Sequence, residues 1–82
     1  MMEDILRIEL KKIGIKDFEN LEKITKELNT KRTVIQGMYE YVENWLNNEK
    51  DPDISGELLI QRQNLSVDLG IIERCLELIE EL

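Results

Sequence analysis

Any chemistry in this chain would have to start from carboxylates. Glu73, Glu77 and Glu80 recur at helical spacing near the C-terminus. Carboxylates in pairs can hold a hard cation or share acid/base work. Nothing around these three buries them, so they read as a solvated face or as a negative surface offered to a basic partner. The single thiol, Cys75, sits between Glu73 and Glu77. A reactive cysteine needs an electropositive, accessible setting, so this one is expected to act as a small hydrophobe. There is no histidine. That removes the commonest general base and the commonest transition-metal ligand, and leaves a structural zinc site without ligands. No nucleophile stands beside a base. The expectation is a protein that is not an enzyme and carries neither cofactor nor metal.

The elements that must position these side chains are helical. Leu65, Leu69, Ile72, Leu76 and Ile79 are spaced four, three, four, three, the register of an apolar coiled-coil seam. No stretch alternates with a period of two. Four helices are expected. The first runs from about Met2 to Ile13. Gly14 should take the left-handed position behind it, with Ile15 folding back onto Leu10. The second runs from Phe18 to Leu28 with Asp17 as its N-cap. Asn29-Thr30 breaks the chain, and a third helix follows over 31–48. Pro52 makes the strongest break, with Asp53 or Ser55 capping a fourth helix over 56–82. The chain therefore reads as all-α: two short N-terminal helices, then a long antiparallel hairpin, with residues 1–82 as one domain.

If the hairpin turns between Asp53 and Ile54, Gly37 falls opposite Gly70 and Trp45 opposite Arg62. Close backbone approach would justify the glycines, and a guanidinium on the indole would explain a charge in the seam. On this reading the fourth helix, roughly 40 Å, outruns the third, roughly 27 Å. Cys75, Leu78, Ile79 and Leu82 would then need cover from the N-terminal helices or from another chain. A C2 homodimer is the simplest solution.

Net charge is −7 and uneven. Residues 1–35 carry eight Lys/Arg against seven Asp/Glu, and residues 36–82 carry three against eleven. An acidic half repels nucleic acid and anionic membranes. No apolar stretch is long enough to span a bilayer, no signal peptide is visible and one cysteine fits a reducing compartment, so a cytoplasmic location is expected.

Within Leu21–Met38, the positions of Ile24, Thr25, Leu28, Asn29, Ile35 and Met38 resemble a helix-turn-helix unit in outline. Asn29 stands where glycine is usual, and Thr25 where alanine is usual. The resemblance implies a DNA-binding regulator with the hairpin as its dimerisation element. Lys31, Arg32, Thr33 and Gln36 would then meet phosphates and base edges. The acidic C-terminal half argues against groove binding and puts another reading first. That reading is a small acidic protein that works by protein–protein interaction, as an adaptor, inhibitor or regulator of the kind phages and mobile elements encode. It would occlude a partner surface through Tyr39, Glu73, Glu77 and Glu80.

Overall fold

The computed structural model describes residues 2–82. They form three helices, not four: α1 (Met2–Lys12), α2 (Leu21–Asn48) and α3 (Pro52–Glu81). No strand occurs among the described residues. The expected break at Asn29-Thr30 is absent, and α2 runs through it. The reason is local satisfaction of the polar side chains. The hydroxyls of Thr25, Thr30 and Thr33 each donate to the carbonyl four residues back, at 2.8, 3.0 and 3.1 Å. The amide oxygen of Asn29 accepts from Arg32 at 2.9 Å. No side chain is left to compete with the helix backbone. The apolar column also continues across the site, from buried Ile24 and Leu28 through half-buried Ile35 to buried Val42. A helix-turn-helix at residues 21–38 is thereby ruled out, since the turn between its helices does not exist.

The helix ends follow simple chemistry. Gly14 adopts φ 83°. The Ile15 amide donates to the Leu10 carbonyl at 3.0 Å and the Gly14 amide to Lys11 at 3.1 Å. This is the Schellman closure expected from the sequence. The second helix starts later than expected. Asp17 accepts from the Glu19 amide, and Asn20 is the true N-cap, accepting from the Lys23 amide at 3.1 Å. Pro52 does not precede α3 but opens it. A proline lacks the amide that the first turn leaves unpaired. Asp51 caps the helix by accepting from the Asp53 amide at 2.9 Å.

Both corrections change the hairpin. α2 has 28 residues and α3 has 30, so each is about 42–45 Å long. The molecule measures 47 × 19 × 19 Å. The helices match and nothing overhangs. The turn now centres on Lys50, which slips the pairing by about one heptad. Gly37 is not opposite Gly70. A Cβ built on either would meet nothing within 4 Å. Trp45 does not meet Arg62. The indole donates to Glu49 at 2.8 Å, and Arg62 pairs with Glu43 at 3.5 Å.

The core lies at the open end of the hairpin. Leu6 and Leu10 of α1 and Ile15 after it pack on Ile24, Leu28, Ile72 and Cys75. Arg7 lies 5.5 Å above the Phe18 ring, tying α1 to the segment that leads into α2. The stretch expected to seek a second chain is taken up here. Cys75 is fully buried, and Leu78 and Ile79 pack on the same cluster. Leu82 remains half exposed.

Candidate functional site: the two sides of the hairpin

Heptad position divides the hairpin into two unlike sides. Ile24, Lys31, Met38 and Trp45 are seven residues apart on α2 and share one column. Gln61, Asp68 and Cys75 do the same on α3. In an antiparallel pair these columns flank the seam on the same side. At the open end, α1 covers that side, burying Ile24 and Cys75 beneath Leu6 and Leu10. α1 is 11 residues long, about 16 Å. Beyond it, toward the turn, the same side lies bare.

The bare stretch is an apolar groove of about 420 Å³ lined by Val34, Gly37, Met38, Tyr41, Val42, Trp45 and Gln61. Val34 is 57% exposed, Met38 51%, Tyr41 66% and Trp45 43%. The Tyr41 and Trp45 rings meet edge to face, with centroids 6.1 Å apart. From Val34 to Asn48 the columns on this side of α2 hold Val34, Gly37, Met38, Tyr41, Asn44, Trp45 and Asn48. None is charged, in a chain whose residues are 35% charged. The sequence shows two apolar stripes along this helix, and the expectation from it, Tyr41 and Trp45 in the core with Tyr39 exposed, is reversed: Tyr41 and Trp45 lie open and Tyr39 is half buried.

The opposite side carries the cross-hairpin ion pairs. Arg32 donates to Glu73 at 3.2 Å and Arg62 to Glu43 at 3.5 Å. Each is partly exposed and so worth at most about 1 kcal/mol. Tyr39 lies here, half buried, beside a shallow depression shared with Leu59, Arg62, Gln63, Ser66 and Val67. Glu73 and Glu80 continue the column of Leu59 and Ser66, with Glu77 next to it. The fold thus brings Tyr39, Glu73, Glu77 and Glu80 to one side, though Glu73 is already engaged by Arg32.

The residues expected to read DNA are not gathered into a basic tip. Arg32 is held by Asn29 and Glu73, Thr33 returns its hydroxyl to the backbone, Lys31 is half buried and Gln36 is exposed.

The titratable groups offer little chemistry. Burial, with Glu9 adding its negative charge, pushes the Cys75 thiol up to about 11. The indole of Trp45 and the backbone amide of Asp51 hold Glu49 below the usual carboxylate range. Among the described residues no three His, Cys, Asp or Glu side chains are gathered to hold a metal ion. No described helix is long and apolar enough to cross a membrane. No family model, curated protein or solved structure matches the chain.

Proposed function

We propose that this chain acts by binding protein, as an adaptor, inhibitor or regulator that occludes a partner's surface. The observation that carries this reading is the charge-free aromatic face on an otherwise acidic hairpin. The largest exposed apolar patch on a small domain is often functional, and Tyr and Trp are among the residues that most often anchor protein interfaces. The ion-paired side supplies a second, different surface. There Tyr39 offers an aromatic contact, and Glu77 and Glu80, beside Glu73, offer negative charge to a basic partner. Such rim charges would act mainly on association rate and partner choice. The inert thiol fits a chain whose work is contact and not turnover.

The test is recovery of a defined partner from the native host with tagged wild type, Tyr41→Asp and Glu73→Lys/Glu77→Lys/Glu80→Lys. The reading expects a partner at near-stoichiometric yield with wild type, lost or weakened in at least one variant. Recovery insensitive to both surfaces would overturn it.

A further inference from the structure

The face of α2 from Val34 to Trp45 needs an occupant, and the geometry points to a second copy of this chain. We propose that two copies pair through this face about a two-fold axis, α2 antiparallel to α2. The inference rests on the reading that this face binds protein, and names the partner.

Spacing is the first support. Val34, Met38, Tyr41 and Trp45 are separated by four, three and four residues. That order is the same read in either direction, so the stripe can meet itself antiparallel. Val34 of one copy then faces Trp45 of the other, and Met38 faces Tyr41. Each contact sets a smaller side chain against a larger one, as close packing requires.

Charge is the second. Leu21–Ile35 carries four cations and two carboxylates, whereas Gln36–Asn48 carries two carboxylates and no cation. In this antiparallel register Lys31 and Arg32 of one α2 lie over Asn48 and Asn47 of the other, and Glu40 and Glu43 lie over Tyr39 and Gln36, so no like charges oppose. Parallel pairing would set like on like. Two chains of net charge −7 can approach closely only where neither presents carboxylates, and this face presents none.

Area is the third. From the exposures of the four residues and the 150–250 Å² carried by each aromatic side chain, the stripe offers roughly 400–500 Å². A standard interface buries about 800 Å² per partner, of which about 57–65% is apolar. The two figures agree.

Gly37 is the fourth. It sits in the middle of the face, and a Cβ there would meet nothing in its own chain. A helix-interior glycine costs about 1 kcal/mol relative to alanine. Gly70, off this face, is equally open, so what Gly37 adds is position: it leaves room on the face for a second backbone to approach.

Light scattering with cysteine cross-linking tests the proposal. A standard-size interface gives dissociation constants of roughly micromolar or tighter. At about 100 µM wild type should therefore run at twice the 9.7 kDa of one chain, and Tyr41→Asp, altering a residue already exposed, should run at once that mass with unchanged helicity. A mixture of Met38→Cys and Tyr41→Cys chains should cross-link readily under mild oxidation, while Val34→Cys alone should not. Buried Cys75 stays out of the reaction. A wild-type monomer, or a dimer that Tyr41→Asp leaves intact, would overturn the proposal. Self-cross-linking of Val34→Cys would refute the antiparallel register. A monomer whose native partner is still lost in Tyr41→Asp would sink the two-fold pairing alone and leave the protein-binding reading standing.

Discussion

Gly37→Ala separates the fold of one chain from the contact between two. The position is interior to α2 and exposed, and a Cβ would meet nothing within 4 Å. Alanine there removes the excess backbone entropy that glycine loses on folding and introduces no clash. The gain should approach the full propensity difference, about 0.8–1.0 kcal/mol. For a domain of this size that is a rise of roughly 4–8 °C in Tm. Gly70→Ala is the matched control, because its Cβ also meets nothing and it lies off the proposed face. Melts followed by circular dichroism at a dilution where each chain runs as a monomer should show both variants stabilised by similar amounts. Sedimentation at higher concentration should then split them: Gly70→Ala keeps the wild-type association, and Gly37→Ala weakens it. If Gly37→Ala failed to stabilise the dilute chain, the open environment assigned to residue 37 would be wrong. If both variants associated like wild type, close backbone approach at Gly37 would be wrong.

Three other outcomes follow from particular contacts. Leu28→Ala, at a fully buried position, should cost about 2–5 kcal/mol in denaturant titration. Asn29→Ala, on the exposed face of a continuous helix, should change stability by less than about 0.5 kcal/mol; a large loss would argue for a turn there. The Cys75 thiol titrates near 11 in the folded chain against 9.0 for an unperturbed cysteine, so folding favours its neutral form. Its contribution is intact below about pH 9 and is lost as pH rises through 9 to 11. The difference in stability between wild type and Cys75→Ala should shrink across that window by about 2–3 kcal/mol. A difference independent of pH would contradict the buried, neutral thiol.

Much of the fold is legible in the residues, and what is not has physical causes. The all-helical character, the antiparallel hairpin, the Schellman closure at Gly14 and the partial burial of the C-terminal seam follow from apolar spacing and one left-handed glycine. Helix boundaries fared worse where a residue type has two uses. Threonine and asparagine can end a helix or return their side chains to its own turn, and at Asn29-Thr30 they do the second. Proline can stop a helix or start one, and Pro52 starts one. A shift of the turn by three or four residues then slips the pairing by about a heptad. Such a slip leaves every apolar stripe facing the seam, so periodicity alone does not detect it. The candidate site was half visible. The stripe at Val34, Met38, Tyr41 and Trp45 is written in the sequence, but there its aromatic pair reads as core. That it stays open depends on where α1 ends, and that depends on how α1 packs on α3 at the far end of the hairpin.

Trp45 is the only tryptophan and lies on the open face, 43% exposed in the single chain. Its fluorescence quenching by acrylamide, followed from low micromolar to about 0.5 mM protein, reports directly whether that face is covered. Occupation by a second copy predicts accessible, red-shifted emission at dilution. It predicts a several-fold drop in the quenching constant with a blue shift as concentration rises, absent in Tyr41→Asp. Strong quenching with red-shifted emission over the whole range in wild type would show the face bare at every concentration and contradict the account.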